Sequence, residues 1–401
     1  MTENNAINVV LCGDSTEVLR GYPDAFFDSV VCDPPYGLSK EPDIAEVLTK
    51  WLAGEPYDHG HGGFMGKAWD SFVPHPDLWR EVFRVLKPGG HALVFAGTRT
   101  QDLMTIALRL GGFEIRDVIE WLYFSGFPKS YDISKAFDKR AGAEREVIGV
   151  RYDGVGSDSG EGRYNWNNGS SAQSNEVKIT APATELARKW DGWGTALKPA
   201  HEPIIVARKP LAGTVAETVE RYGTGAINID GCRIGRADGD RTEYGVTGNQ
   251  TATTGDSGIF GHYDAVAYAP HEAGRFPANA ITTDGDAFYS TYFNVSPADL
   301  SKKASKRDRN TCVDGTVLDG LNVHPTVKPV ELMRWLVTLV TPPGGAVLDP
   351  FVGSGTTLVA AAQAGFNYVG IDMLPAHVDI ANARLNPEGV GALDDAAKSA
   401  A

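Results

Sequence analysis

Apolar and polar residues alternate in a regular order near the C-terminus. The pattern predicts a short buried strand over Ala346 to Asp349, a helix over Thr356 to Ala364, and a second strand over Phe366 to Ile371. A further helix is predicted before them, with Pro329 in its first turn and its end at Val340. This region therefore predicts a strand-helix-strand unit that is entered through a helix.

The N-terminal part of the chain shows the same alternation. Strands are predicted at Ala6 to Cys12, Ser29 to Cys32, His91 to Phe95 and Phe113 to Phe124, and a helix at Leu78 to Leu86. Strands that alternate with helices are typical of an α/β domain with a parallel sheet whose two faces are covered. We therefore expect both ends of the chain to contribute to one such sheet.

The middle of the chain has a different pattern. Gly154 to Asn175 and Thr247 to Gly261 are rich in small and polar residues, which predicts mobile loops, whereas Glu202 to Ala207 predicts one more strand of the main sheet. We interpret the patterns as one α/β domain with an insertion. Its first half covers 1–210 with a mobile loop at about 150–180, the insertion 211–320, its second half 321–390, and a tail 391–401.

The composition fits a protein with a substantial core, because 42% of the 401 residues are hydrophobic. The N-terminus shows no signal-peptide pattern and no eighteen apolar residues follow one another, so we expect a cytoplasmic protein that does not contact a membrane. The four cysteines, which have no paired short spacing, are interpreted as buried reduced thiols: Cys12, Cys32, Cys232 and Cys312. His59 to Gly63 predicts a flexible loop rather than a metal site, and no metal is expected.

The net charge of −14 argues against a generally basic surface for nucleic acid, since phosphate binding depends on Lys and Arg. Any contact with DNA must therefore be local. The candidate patch lies between Ser301 and Asn310, where a solvated charged loop is the alternative interpretation. Its basic residues are Lys302, Lys303, Lys306, Arg307 and Arg309.

The tetrapeptide Asp33-Pro34-Pro35-Tyr36 follows a predicted strand and suits chemistry on a flat amine. The lone pair of an exocyclic base amine is delocalised into the ring, so acceptors at its hydrogens are needed to free it. Asp33 and the carbonyl of Pro34 offer two such acceptors, which the proline rings hold in place. Tyr36 can stack on a base that has left the duplex.

A second motif, Asp349-Pro350-Phe351-Val352-Gly353-Ser354-Gly355-Thr356-Thr357, also follows a predicted strand. Glycines at such a turn let backbone amides approach a ligand at the start of a helix. Asp372, at the end of the next strand, has about the spacing at which an acid holds ribose hydroxyls. A dehydrogenase loop would place a third glycine at Leu358, and a P-loop would carry a lysine, so both are disfavoured.

Together the two motifs resemble those of DNA amino-methyltransferases, and their order, catalytic motif before cofactor loop, resembles the β group of that family. The resemblance covers residues 6–125 and 322–385 and includes His324-Pro325-Thr326-Val327-Lys328-Pro329 before the loop. It implies a Rossmann-like methyltransferase domain with a circularly permuted motif order, in which 211–320 is the target-recognition insertion. It also implies that S-adenosylmethionine is bound by Asp14, Thr326, Lys328, Asp349, Pro350, Phe351, Gly353, Ser354, Gly355, Thr356 and Asp372.

The resemblance further implies site-specific methylation of double-stranded DNA by direct transfer to a flipped-out base. Asp at the first motif position is most typical of enzymes that act on adenine N6, and cytosine N4 is the alternative. A DNA-binding relic that no longer catalyses is an alternative of another class. A homodimer and a cognate restriction endonuclease are further partners that the family allows. Trp190 and Trp193 occur in a segment that also resembles phage members and are assigned no role.

Overall fold

The computed structural model describes residues 6–38, 40–60, 70–123, 130–153, 175–234, 255–257, 261–263, 274, 276–282, 304–318, 320–322, 324 and 326–388. They divide into two compact units, of which the first comprises Met1–Ser125 with Ala200–Ala401 and the second comprises Gly126–Pro199.

Twelve strands and eleven α-helices are formed by these residues. The strands are β1 Val9–Cys12, β2 Phe27–Cys32, β3 Leu86–Phe95, β4 Glu114–Leu122, β5 Val147–Asp153, β6 Asn175–Thr180, β7 His201–Arg208, β8 Gly255–Ser257, β9 Gly261–Tyr263, β10 Ala280–Thr282, β11 Ala346–Asp349 and β12 Asn367–Asp372. The helices are α1 Ser15–Leu19, α2 Ile44–Ala53, α3 Pro76–Val85, α4 Gln101–Leu110, α5 Ile133–Ala141, α6 Glu185–Lys189, α7 Val215–Tyr222, α8 Lys306–Asn310, α9 Val330–Val340, α10 Thr356–Gln363 and α11 Pro375–Leu385.

The first unit is built on an eight-stranded sheet in the order β1-β12-β11-β2-β3-β7-β4-β10. The five strands from β1 to β3 are parallel, whereas β7 runs antiparallel to both β3 and β4. The α/β class expected from the sequence is confirmed, but the sheet is mixed rather than wholly parallel. β7 runs in the opposite direction because it pairs with β4 as the second strand of a long hairpin.

Helices cover both faces of this sheet. The side chains of β2 alternate between the two cores, with Val30 and Cys32 in one and Val31 in the other. The first core is closed by α1 to α4, where Trp79 is fully buried, and the second by α9, α10 and α11, where Leu336 is fully buried. The central strand β2 is buried along its whole length. Its carboxyl end is therefore held by both cores.

Most predicted elements of the first unit are present, with three differences. Lys87 to Gly90, which lie between a predicted helix and a predicted strand, are part of β3, because a register shift between Phe27 and Ser29 takes up the extra residues. Pro329 is the N-cap of α9 rather than a residue of its first turn. Cys12 is exposed, contrary to the expectation of four buried thiols, because it ends the edge strand β1.

The middle of the chain contains helices and strands that the sequence pattern does not predict. Within the predicted insertion 211–320, α7 and β10 belong to the first unit. The predicted loop at 247–261 lies outside the described residues except for β8, which pairs with β9, and residue 261 itself. The loop predicted at Gly154 to Asn175 lies outside them except for its last residue, which begins β6. The four-segment division stays a prediction.

The second unit consists of the antiparallel pair β5 and β6 with the helices α5 and α6. Its centre is the buried Asp138, whose carboxylate accepts hydrogen bonds from Arg145 at 2.7 Å and from the Thr184 hydroxyl at 2.7 Å. No helix among the described residues of the chain is both long and apolar enough to cross a membrane.

Candidate active site

The two sequence motifs lie side by side at one edge of the sheet. Asp33 follows β2, the glycine loop follows β11, and Asp372 ends β12. β11 is the parallel neighbour of both β2 and β12, with Leu348 opposite Val30. Because the carboxyl ends of parallel strands meet at the same edge, residues far apart in sequence form one candidate site.

The loop that follows β2 is fixed by hydrogen bonds to its backbone. Asp70 accepts from the backbone N–H of Tyr36 at 2.8 Å and from that of Gly37 at 3.2 Å. The hydroxyl of Thr100 donates to the Tyr36 carbonyl at 2.6 Å. Pro34 is buried and Pro35 is half-buried. The Asp33 side chain, 21% exposed, therefore projects from a rigid turn.

Both oxygens of the Asp33 carboxylate already have partners. The Tyr36 hydroxyl donates to Oδ1 at 2.8 Å, and the Lys328 ammonium lies 2.5 Å from Oδ2. Lys328 is predicted from the sequence to bind the cofactor, but the structure places its charged end against the catalytic motif. Its Nζ also lies 4.7 Å from the centre of the Phe95 ring. The lysine thus links the segment before α9 to the carboxyl end of β2.

Glu202 completes this cluster, although no sequence motif points to it. It is the second residue of β7, and its Oε2 lies 3.2 Å from Lys328 Nζ and 3.0 Å from the Tyr36 hydroxyl oxygen. Tyr123, at the end of β4, also hydrogen-bonds Glu202. The reversed strand β7 therefore carries a second carboxylate to the pocket.

The ionisable groups of this cluster shift one another's pKa values. Burial acts to lower the pKa of Lys328, but Asp33 and Glu202 raise it overall, so the ammonium form is stabilised. Burial and the Glu202 charge raise the pKa of Asp33, and Lys328 opposes them. Burial and the two carboxylates raise the pKa of Tyr36 well above its ordinary value. We infer that the Tyr36 phenol is neutral and that Lys328 is charged, with Asp33 and Glu202 on either side of them.

The glycine loop after β11 has the backbone conformation that its sequence predicts. Gly353 and Gly355 have φ values of 49° and 83°, in the left-handed region that favours glycine. A Cβ at Gly355 would lie 2.8 Å from the Cβ of Ala381, so α11 packs directly on the loop. Thr356 then starts α10, whose first amides face the loop.

Asp349 is buried at the end of β11 and is 2% exposed. It accepts a hydrogen bond from the Phe351 N–H at 3.0 Å. Burial, followed by the nearby charges of Asp33 and Asp372, raises its pKa to about 7, while hydrogen bonds from Thr357 and Phe351 act in the opposite direction. Three carboxylates thus lie within electrostatic reach of one another.

Asp372 is held in a fixed orientation by three donors. The Gly353 N–H donates to Oδ2 at 2.9 Å, the Leu374 N–H to Oδ1 at 2.9 Å, and His377 Nδ1 lies 3.1 Å from Oδ1. Burial acts to raise the pKa of Asp372, and these hydrogen bonds lower it overall. The His324 ring packs edge-on against His377 with centroids 4.5 Å apart. His377 is a functional candidate that the sequence did not reveal, whereas His324 begins the segment that the resemblance includes.

Arg384 holds the glycine loop by hydrogen bonds, a role that the sequence does not predict. It is fully buried, and Nη1 donates to the Ser354 carbonyl at 2.8 Å and to the Thr356 hydroxyl at 2.9 Å. Its Nε donates to the carbonyl of Thr311 at 3.1 Å. Burial lowers its pKa to about 10, so it stays charged at neutral pH. Ser354 and Thr356, expected to contact the cofactor, therefore also contact this arginine.

The remaining predicted cofactor residues surround the same edge. Asp14 follows β1 and caps α1 by accepting from the Glu17 N–H at 3.1 Å. The neighbouring Ser15 hydroxyl donates to the Pro350 carbonyl at 2.6 Å. Phe351 is half-buried near Trp79, with ring centroids 6.2 Å apart. Thr326 is exposed, and its N–H lies 3.4 Å from His324 Nδ1.

Comparison with known proteins assigns the chain to a family. The family model N6_N4_Mtase, described as DNA methylase, matches residues 27–383. The chain belongs to this DNA methylase family. The Rossmann-like methyltransferase fold expected from the sequence is thereby confirmed, and the resemblance to DNA amino-methyltransferases is confirmed with it.

Individual relatives match over nearly the whole chain. The chain is 26% identical over 400 residues to the Type II methyltransferase M.HindIII of Haemophilus influenzae, a match that covers 95% of this chain and 96% of the relative. Among solved structures, the putative DNA modification methylase TTHA0409 of Thermus thermophilus in complex with S-adenosyl-L-methionine is 17% identical, with 95% and 93% of the two chains covered and a TM-score of 0.41. The cytosine-N4-specific PvuII DNA methyltransferase is 14% identical, with 94% and 85% covered and a TM-score of 0.45.

The predicted DNA-binding patch of this DNA methylase is described only in part. Lys302, Lys303 and the side chain of Lys306 lie outside the described residues. Arg307 is exposed on α8. Arg309 is half-buried, and its Nη1 donates to the His324 carbonyl at 3.0 Å. Arg309 therefore supports the segment before α9, and its contact with DNA stays a prediction.

Two further segments were singled out in the sequence. His59 is buried, and its ring stacks on Phe72 with centroids 5.3 Å apart, while His61 lies outside the described residues. Among the described residues no group of acidic, histidine or cysteine side chains is arranged to hold a metal. Trp190 and Trp193 belong to the second unit, and their rings meet edge-on at 5.0 Å.

Proposed function

We propose that this DNA methylase transfers a methyl group from S-adenosylmethionine to the N6 amine of adenine in double-stranded DNA, at a base swung out of the duplex. The observation that carries the proposal is the adjacency of β2 and β11, which sets Asp33 beside the glycine loop. A catalytic acceptor and a ligand-binding turn at one edge provide the two halves of a transfer site.

The residues at this edge fit S-adenosylmethionine. The cofactor carries positive charge on its sulfonium and ammonium groups, which suits the carboxylates of Asp33, Asp349 and Asp372. In this proposal Asp372 accepts hydrogen bonds from the ribose hydroxyls, and the exposed Asp14, which follows β1, contacts the adenine. When bound, the cofactor supplies an electrophilic methyl group. The left-handed turn at Gly353 and Gly355 lets backbone amides of the loop approach the cofactor.

Asp33 and the Pro34 carbonyl would then orient the target amine. A carboxylate that accepts the amine hydrogens raises the electron density on nitrogen and aims its lone pair. Tyr36 offers a ring against which the extruded base stacks. Holding the two reactants in line can contribute roughly 7–11 kcal/mol to the lowering of the barrier. Adenine is favoured because Asp stands at the first position of the motif.

Mass spectrometry of nucleosides tests this proposal. Unmethylated DNA is incubated with the protein and S-adenosylmethionine, digested and compared with a reaction that lacks the cofactor. We expect N6-methyladenine in the complete reaction. N4-methylcytosine as the sole product would overturn the adenine assignment, and the absence of any methylated base would overturn the activity itself.

The remaining partners are part of the same proposal. Target recognition by residues 211–320, a homodimer and a cognate restriction endonuclease rest on the family resemblance. Phosphate contacts by the basic residues between Ser301 and Asn310 rest on their charge. The cytoplasmic location is an expectation from the sequence. Sequencing that detects modified bases in DNA from cells expressing the protein would identify the recognition site, and a random distribution of the modification would contradict site specificity.

A further inference from the structure

The carboxylate expected to receive the target amine is already engaged by another amine. The Lys328 ammonium lies 2.5 Å from Asp33 Oδ2, the kind of contact that a base amine must make. Asp33 Oδ1 accepts from the Tyr36 hydroxyl at 2.8 Å. A base amine therefore has to displace one of these two donors before Asp33 can orient it.

Of the two donors, Lys328 is the one that can leave Asp33 for a second carboxylate, that of Glu202. An ammonium group has three N–H donors, and three acceptors surround this one: Asp33 at 2.5 Å, the Tyr36 hydroxyl oxygen at 3.1 Å and Glu202 at 3.2 Å. A small rotation of the side chain exchanges the closer carboxylate for the other. The lysine side chain is 9% exposed, so within the pocket water cannot replace a carboxylate partner and the ammonium must keep one of the two acids.

We propose that Glu202 is a positioning residue of the active site, which takes over the Lys328 ammonium when the target amine arrives at Asp33. The inference rests on the proposed function and adds a step to it. Lys328 occupies the amine position in the absence of DNA and moves toward Glu202 on base entry. Tyr123, which hydrogen-bonds Glu202, fixes the second position of the lysine.

The charges around the cluster favour such an exchange. The groups that face Asp33 are Lys328 from the segment before α9, Glu202 from β7, Tyr36 and Cys32 from its own loop and strand, and Asp349 from β11. The ammonium keeps a carboxylate partner throughout the exchange, and the hydrogens of the base amine replace it at Asp33. Because the base amine is neutral, it can replace the ammonium at Asp33 only if another anion holds the lysine.

The inference gives Lys328 a different role from the cofactor contact that the sequence resemblance implies. Replacing Lys328 is expected to leave binding of S-adenosylmethionine unchanged, within about twofold. The Asp33 pKa is lowered by Lys328 and raised by Glu202. Neutralising each in turn therefore shifts the acidic limb of the rate profile in opposite directions, to higher pH without Lys328 and to lower pH without Glu202.

The experiment measures kcat, KM for DNA, the pH profile and cofactor binding for the wild type, Glu202→Gln, Lys328→Met and the double variant. Glu202→Gln should lower kcat by about tenfold to 100-fold, because Asp33 then keeps the lysine. The double variant should be faster than Glu202→Gln alone, because the competing ammonium is gone. Lys87→Met is the matched control, since Lys87 pairs with the buried Asp28 at 2.6 Å at the opposite edge of the sheet.

The outcomes separate this inference from the proposed function. A wild type that methylates no DNA overturns the proposed function. A wild type that methylates while Glu202→Gln matches it in rate and pH profile overturns only the exchange. Loss of cofactor binding in Lys328→Met would return that residue to the cofactor site. If Glu202→Gln does not fold, Tyr123→Phe is measured instead and should lower kcat in the same direction, without changing KM for the cofactor.

Discussion

The raised pKa of Asp349, at the carboxyl end of β11, can be tested without DNA. Burial and two neighbouring carboxylates raise its pKa from an ordinary value of 3.8 to about 7. Because the folded-state pKa lies above the unfolded one, this stabilisation is fully present below pH 3.8 and is lost as pH rises from there to about 7. At 1.36 kcal/mol per pKa unit, the loss above pH 7 amounts to ~4 kcal/mol.

The substitution Asp349→Asn removes this penalty and keeps a side chain of the same shape. We expect the variant to be more stable than the wild type at pH 8 by up to ~4 kcal/mol, and to differ little at pH 4. Urea unfolding at a series of pH values measures the difference. Asp379→Asn, at an exposed position on α11, is the control. An identical stability difference between Asp349→Asn and wild type at every pH would refute the reasoning.

The same substitution tests whether the site takes a cationic cofactor. Opposite unit charges in contact attract each other by ~4 kcal/mol at an effective dielectric constant of about 20, so a sulfonium beside ionised Asp349 would be bound more tightly. Wild-type affinity for S-adenosylmethionine should therefore fall by up to about tenfold per pH unit below 7. S-adenosylhomocysteine, which lacks the sulfonium charge, should show a weaker dependence in calorimetry. An equal pH dependence for both ligands, or its persistence in Asp349→Asn, would contradict this arrangement.

Three further substitutions probe the supports of the site. Asp372→Ala should weaken binding of S-adenosylmethionine by on the order of tenfold or more while the melting temperature changes little, and unchanged calorimetric affinity would remove the residue from the cofactor site. Gly355→Ala should destabilise the protein by about 1–3 kcal/mol more than Gly344→Ala in urea unfolding, because both have positive φ but only Gly355 is packed against α11, and equal effects would contradict that packing. Arg384→Met should cost about 2–4 kcal/mol of unfolding free energy, since the carbonyls of Ser354 and Thr311 lose a buried donor, and a loss below about 0.5 kcal/mol would show that the loop does not depend on it.

The cofactor half of the fold can be predicted from the sequence because its signals are local. An apolar strand, a glycine turn and a helix succeed one another within 27 residues from Ala346 to Asp372, and each is fixed by near neighbours in the chain. β2 and the turn after it are equally clear, since paired prolines stop the strand. The start of β3 is not, because Lys87 to Gly90 resemble a turn and lie where the pairing with β2 shifts register, so their backbone hydrogen bonds go to Lys209 instead.

The rest of the site depends on contacts that no local pattern announces. Glu202 becomes part of the pocket because β7 is reversed and inserted between β3 and β4, which is a property of the whole sheet. The sequence resemblance groups Lys328 with the cofactor because its neighbours in the chain lead to the glycine loop, yet its long side chain reaches Asp33. Arg384 looks like an ordinary basic residue near the end of a helix, and only the approach of α11 to the loop buries it.

The central claim is that the two motifs, which follow the neighbouring strands β2 and β11, form one active site for methyl transfer. It is tested most directly by measuring transfer of a labelled methyl group to DNA and binding of S-adenosylmethionine on the same preparations of wild type and Asp33→Ala. The account predicts that Asp33→Ala binds the cofactor within a few-fold of wild type and transfers no methyl group. Methyl transfer by Asp33→Ala at the wild-type rate would contradict it.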